Sequence, residues 1–196
     1  MILKTIIRFC VLLLAAILLS SCKGETPSSN NIQPSNQATG GKKMEMKVTS
    51  KAFQDGGMIP KQYTCDGANI SPPIAWDSVP EKTKSIALIA DDPDAPGKTW
   101  VHWVAFNIPA SAHEIPENVP AQENISGGGK QGTNDFKKVG YGAPCPPSGS
   151  AHRYYFKLFA LDTELTQDSS ATKDQLLKAM DGHVLGEGQL MGKYQK

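Results

Sequence analysis

The 196 residues carry 20 Lys+Arg against 19 Asp+Glu, a formal net charge of +1, with 18 glycines and 14 prolines. That length holds one ordinary domain and an appendage rather than two domains. Near-neutral charge excludes the strongly basic footprint of a nucleic-acid binder, and the glycine and proline content argues for a turn-rich fold over a helical bundle.

The N-terminus reads as a targeting signal. Lys4 and Arg8 lead into the unbroken apolar run Phe9–Leu19, eleven residues long. A membrane span needs about 20 apolar residues, so this run suits the core of a signal peptide. It passes directly into Leu19-Ser20-Ser21-Cys22. Small residues before a cysteine at this point resemble the cleavage box of bacterial lipoproteins, which makes Cys22 the acylated first residue of the mature chain and residues 1–21 its signal peptide. Removing them takes the formal charge from +1 to −1. Attachment then rests on acyl chains, at about 0.8 kcal/mol per buried CH₂. Residues 23–43 are rich in Ser, Asn, Gln, Pro and Gly, with Ile32 the one large apolar side chain. That composition buries too little to fold, so residues 22–43 are expected to form a lipidated, flexible tether. The folded domain is expected over residues 44–196.

Residues 44–53 alternate loosely and predict a first strand. Turn chemistry fills residues 58–76, at Ile59-Pro60, Asp66-Gly67 and Ser71-Pro72-Pro73. The apolar run 85–90 predicts a buried strand that ends in Asp91-Asp92. Residues 101–108 predict another strand, with His102, Val104, Phe106 and Ile108 on one face and Val101, Trp103, Ala105 and Asn107 on the other. Residues 109–135 read as a long irregular excursion, interrupted by Pro109, Pro116, Pro120 and Gly127-Gly128-Gly129. A loop of that length is usually functional or disordered. Residues 153–161 form the strongest strand pattern. Residues 172–180 predict a helix with Thr172 as N-cap, an apolar stripe of Leu176, Leu177 and Met180, and Gly182 as its stop. Many strands separated by turns, with one late helix, argue for a mainly β, sandwich-like fold.

Three groups carry potential chemistry: Asp91-Asp92-Pro93-Asp94-Ala95-Pro96, His102, and Pro144-Cys145-Pro146-Pro147 followed by His152-Arg153-Tyr154. Proline-flanked loops hold side chains at low ordering cost. Imidazole and hydroxyl groups that converge with carboxylates suit a phosphate-like anion. Each group also has a plain structural reading. The Asp-Pro-Asp run is ordinary turn chemistry, His102 fits a core histidine, and Arg153 and Tyr154 fit strand surface and core. Spacing alone leaves these alternatives open.

Asp92-Pro93-Asp94-Ala95-Pro96, Trp100-Val101-His102-Trp103, and Gly140-Tyr141-Gly142-Ala143-Pro144-Cys145-Pro146-Pro147 with Gly149 and His152-Arg153-Tyr154 resemble the signature blocks of the phosphatidylethanolamine-binding protein family. Tyr63-Thr64-Cys65-Asp66-Gly67, Ser71-Pro72-Pro73, Trp76 and the tail from Gly182 to Tyr194 resemble its bacterial, Raf-kinase-inhibitor-like branch. The likeness spans residues 45–194. It implies two antiparallel sheets packed as a Greek-key β-sandwich, with C-terminal helices and a small anion pocket at one end. By position, Asp92, His102, His152 and Tyr154 line that pocket, and Asp94, Pro96, Trp100 and Pro147 shape it. Ala143 stands where bacterial relatives usually have glycine, and would be strained if φ there were positive. His183 follows the helix stop and reads as structural.

The resemblance implies a non-enzymatic binder of phosphate-type head groups or phosphorylated small molecules, with no cofactor, no metal and no nucleic-acid partner. An envelope location argues against a cytosolic kinase as partner and leaves a head group, a metabolite or a secreted protease. The alternative is a hydrolase or metal-dependent enzyme built on the Asp/His cluster. Against it, the chain contains no G-x-S-x-G, H-E-x-x-H or C-x-x-C. Cys65 and Cys145 are the cysteines left after processing besides Cys22, and an oxidising envelope makes them a candidate disulfide.

Lys23 follows Cys22 with no aspartate to retain the protein at the inner membrane, so an outer-membrane location is expected. Cys22→Ala should abolish metabolic acyl labelling and leave the protein unprocessed or soluble on fractionation. Label retained on the variant would refute the anchor.

Overall fold

The computed structural model describes residues 43–196, so the signal segment, Cys22 and nearly all of the tether lie outside the described residues. The predicted first strand is two short ones, β1 (Met44–Glu45) and β2 (Val48–Thr49), which enter different sheets. They are followed by β3 (Ile74–Trp76), β4 (Ser85–Asp92), β5 (Trp100–Pro109), β6 (Glu114–Ile115), β7 (Lys130–Gln131), β8 (His152–Leu161), α1 (Lys173–Met180) and β9 (Val184–Tyr194). One sheet runs β1-β9-β8-β4-β5-β7 and the other β2-β3-β6. The fold is mainly β.

β4 sits between β5 and β8 and is buried along its whole length. Ile86, Leu88 and Ala90 join the core beneath the small sheet, which contributes Val48, Ile74, Trp76 and Ile115. Ala87 and Ile89 face the opposite way, onto Leu165, Ala171, Leu176 and Met180. Covering both faces explains why an antiparallel strand reads as a continuous apolar run rather than an alternating one.

Four expectations are corrected. The sheets are not wholly antiparallel, because β1 pairs with β9 in parallel. Among the described residues there is one helix at the C-terminal end rather than several, and the tail forms β9 along β8. Gly188 permits the close approach of the N-terminal segment there: a Cβ would stand 2.0 Å from the Met46 carbonyl oxygen. Leu177 is exposed while Leu176 and Met180 are buried, since the next residue on a helix turns about 100° away from its neighbour's face. The faces of β5 also differ from strict alternation. The β4–β5 register slips once near Asn107 (φ +54°) and once at His102. The first slip puts Ile108 with Trp103 and Ala105, and the second puts Val101 with Val104 and Phe106. Each is a bulge, an extra residue that re-aims its neighbours.

α1 is closed at its N-terminus by a reciprocal capping box. Gln175 N–H donates to Thr172 Oγ1, and Thr172 N–H donates to Gln175 Oε1. It stops at Met180, with Gly182 at φ +79°. Leu158→Ala removes a fully buried side chain and should destabilise the full chain by about 2–5 kcal/mol, whereas Leu177→Ala at a solvent-facing position should change it by about 0.5 kcal/mol or less. Denaturant unfolding of both variants checks the pair, and equal losses would contradict the assigned core.

Candidate functional site

The tips of β4, β5 and β8 converge on a pocket of about 240 Å³. Asp92 ends β4, Trp100 and His102 open β5, and His152 and Tyr154 open β8. With Pro96 and Pro147, these are seven of the eight positions singled out from the sequence, and all seven line the pocket. Asp94 does not. Its carboxylate turns to Arg153, accepting from the backbone N–H and Nε at 2.9 Å and from Nη2 at 2.6 Å. The guanidinium holds the Asp94 carboxyl down at about 2, and the pair clamps the 92–96 turn to the start of β8.

Asp92 is 3% exposed, and both of its oxygens are engaged. Oδ1 accepts from Asp94 N–H at 2.8 Å, and Oδ2 lies 2.8 Å from His152 Nδ1. His102, the bulge residue, places Nδ1 2.6 Å from the Gly142 carbonyl oxygen. Burial pushes its imidazolium pKa down, against the upward pull of that carbonyl and of Asp92. Its ring meets Tyr154 edge-on at 5.2 Å between centroids and Phe136 at 5.5 Å. Burial, and then the Asp92 charge, keep the Tyr154 hydroxyl protonated well above its ordinary range. That hydroxyl makes no well-formed hydrogen bond in the protein, with the Asp92 carboxylate within longer reach, and the Trp100 indole N–H is buried without a partner.

Three contributors escaped the sequence reading. Phe136 forms a wall of the pocket and packs edge-on against Trp100 at 5.4 Å. An aromatic in an irregular loop carries no periodic signal. The Gly142 carbonyl orients His102, and a backbone acceptor has no side-chain signature. A Cβ at Gly142 would stand 2.4 Å from the Phe136 ring, so glycine is what allows wall and carbonyl to coexist. Arg153 acts through Asp94. The loop that carries Phe136 is held by Asn134, whose Oδ1 accepts from the N–H groups of Phe136 and Lys138 and whose Nδ2 donates to the Gly140 carbonyl. Ala143 lies outside the positive-φ region, so the expected strain is absent; its N–H donates to Asn69 Oδ1. His183 stands away from the pocket, with its Nδ1 2.8 Å from Asp162 Oδ1.

Cys65 and Cys145 are joined by a disulfide with a Cα–Cα distance of 5.4 Å, and Cys145 lines the pocket. Among the described residues no cluster of three or more His, Cys, Asp or Glu side chains is placed to hold a metal ion.

The model of the phosphatidylethanolamine-binding protein family matches residues 49–195. A UPF0098 protein of Methanothermobacter thermautotrophicus is 54% identical over 151 residues, covering 77% of this chain and 99% of its own length. One from Chlamydia trachomatis is 41% identical over 160 residues, covering 77% and 99%. Two solved structures are similar. A putative phosphatidylethanolamine-binding protein homolog from Chlamydia trachomatis has a TM-score of 0.71 at 41% identity, covering 78% of this chain and 98% of its own. Escherichia coli YbcL, described as a new member of the mammalian PEBP family, has a TM-score of 0.70 at 33% identity, covering 77% and 98%.

The bridge closes a loop spanning 80 positions. By the chain-entropy model, its removal in Cys65→Ala/Cys145→Ala should cost up to roughly 4–5 kcal/mol. Thiol titration of envelope-derived protein, denatured without reductant, should find no free thiol. Two free thiols per chain would rule out the bridge.

Proposed function

Because the chain belongs to the phosphatidylethanolamine-binding protein family, we propose that it is a ligand-binding module rather than an enzyme, whose pocket takes phosphate-type groups from a lipid head group or a phosphorylated small molecule. One observation carries this reading: Trp100 N–H and Tyr154 O–H, both on the pocket wall, make no well-formed hydrogen bond in the protein, the hydroxyl having the Asp92 carboxylate within longer reach. An unpartnered buried polar group costs about 1–3 kcal/mol, a cost that a bound oxyanion relieves. The volume suits a phosphoryl group with a short substituent and is below the usual range for drug-sized ligands. Cys145, the sulfur at the pocket, is held in the disulfide and is not available as a covalent nucleophile.

The Leu19-Ser20-Ser21-Cys22 box supports placing this module in the bacterial cell envelope, lipid-anchored through Cys22 at the outer membrane on the tether of residues 22–43. There its partners are a head group, a phosphorylated metabolite or a secreted protein such as a protease, which it would modulate.

Calorimetric titration of the full chain with phosphoethanolamine tests the reading. His102→Ala and His152→Ala should each weaken binding by about 1.5–3 kcal/mol, roughly ten- to a hundred-fold, the range for a hydrogen bond to a charged group. Thermal unfolding should show both variants folded. Unchanged affinity in both would remove these histidines from the site.

A further inference from the structure

The hydrogen bonds around the two pocket histidines fix more than their orientation. A carbonyl oxygen can only accept, so the His102 nitrogen 2.6 Å from Gly142 O carries a proton. The Asp92 carboxylate likewise takes the proton of His152 Nδ1. In a neutral imidazole with Nδ1 protonated, Nε2 presents a lone pair. Neither Nε2 is bonded to a protein group. At His102, which burial favours in the neutral form, the pocket therefore offers a lone-pair nitrogen, and it offers two donors, Tyr154 O–H and Trp100 N–H. Asp92 adds no donor, since both of its oxygens accept.

A fully deprotonated oxyanion offers only lone pairs, so it would satisfy the two donors and oppose the His102 nitrogen. A phosphoryl group that keeps one proton satisfies the donors and also gives its O–H to an imidazole. Building on the anion-binding reading above, we propose that this pocket selects the monoprotonated phosphoryl group of a phosphomonoester, with His102 Nε2 as the acceptor of its P–O–H, and discriminates against phosphodiesters and sulfate. Head groups of the phosphatidylethanolamine type are phosphodiesters with no such proton. The preferred ligand is thus a free phosphorylated small molecule.

His102 is the better acceptor of the two because its surroundings keep it neutral. The ring is 5% exposed and packs against Tyr154 and Phe136. The carboxylates that favour its protonation are each engaged elsewhere. Asp92 is held by His152 and Asp94 N–H, and Asp135 by Val101 N–H and Lys98. Asp91, on the far face of β4, is held by Lys157 and Lys173. Burial outweighs their pull and shifts His102 toward the neutral form.

The test is calorimetry on the full chain at pH 6 and pH 8 with three probes: phosphoethanolamine, its glycerol diester glycerophosphoethanolamine, and inorganic sulfate. With a second phosphate pKa of about 6, the monoprotonated fraction falls about 50-fold between these pH values, and phosphoethanolamine affinity should fall with it. At pH 8, titrations in two buffers of different ionisation enthalpy should show close to one proton taken up per ligand. At pH 6 the diester and sulfate should bind at least tenfold more weakly than the monoester. Sulfate has no proton that titrates in this window, so its pH dependence reports the protein alone. In His102→Gln, an amide that can donate as well as accept should flatten the monoester's pH dependence and narrow the gap to sulfate. Sulfate or the diester binding as tightly as the monoester at pH 6 would overturn the selection while leaving the anion site standing. No binding of any of the three would overturn the site itself.

Discussion

Two adjacent carboxylates at the end of a strand buried on both faces set the terms for this structure. Asp91 and Asp92 close β4 at 0% and 3% exposure and, as neighbours on a strand, point to opposite sides of the sheet. Burying a charge is costly unless it is paired and hydrogen-bonded, so each side has to supply compensation. On one side Lys157 from β8 and Lys173 from the first turn of α1 both reach Asp91. That contact ties the helix to the sheet at the same end as the pocket. On the other side His152, also from β8, and the Asp94 N–H satisfy Asp92. One strand tip thereby fixes a helix on one face and a ligand site on the other.

The chemistry of the pocket follows from how these bonds are spent. Asp92 uses both oxygens inside the protein, so its function is to orient rather than to contact a ligand. It turns His152 so that Nδ1 faces inward and Nε2 is left over. The Gly142 carbonyl does the same for His102. That second contact needs the bulge in β5, because without the extra residue at 102 the strand would alternate strictly and the imidazole could not share a wall with Tyr154. The carbonyl is in turn positioned by an irregular loop tied to β5, where Gly142 N–H donates to the His102 carbonyl at 2.8 Å. Asn134, the Cys65–Cys145 bridge and the bond from Cys65 N–H to the Pro144 carbonyl hold it further. The pocket's side chains are thus held by bonds within the protein, which lowers the ordering cost of any binding there.

How much of this was legible depended on the kind of signal each residue carries. The long strands and the helix were visible because apolar periodicity and a threonine N-cap report local structure directly. The motif blocks located Asp92, His102, His152 and Tyr154, and the structure brings these together although they span 62 positions. What stayed hidden was decided by long-range geometry. Asn107 and His102 each interrupt the period of β5, and a left-handed asparagine or a bulged histidine looks like any other residue in a strand. The resemblance implies C-terminal helices, yet the tail's glycines let β9 pack closely against the N-terminal segment while pairing along β8. Asp94 belonged to the right motif but serves a different task. Its side chain finds Arg153, a residue that the sequence alone leaves on a strand surface.

The long excursion between β5 and β8 shows why irregular backbone can still be rigid. Gln131 is fully buried. It accepts from the Trp103 indole at 2.7 Å and donates to the carbonyls of Pro120 and Gln122, both at 2.7 Å. One amide thus links the core of the large sheet to two turns of the loop. The indole N–H could not otherwise be buried at that depth without the penalty of an unmet donor. Trp100, three residues away on the same strand, has no such amide, and its indole N–H stays unpaired. Along this strand one indole is met from within the fold and the other is left unpaired on the pocket wall. An unmet indole donor also occurs at Trp76 in the core, so it is the position of Trp100 beside Asp92, His102 and Tyr154 that makes its free N–H available to an occupant of the pocket.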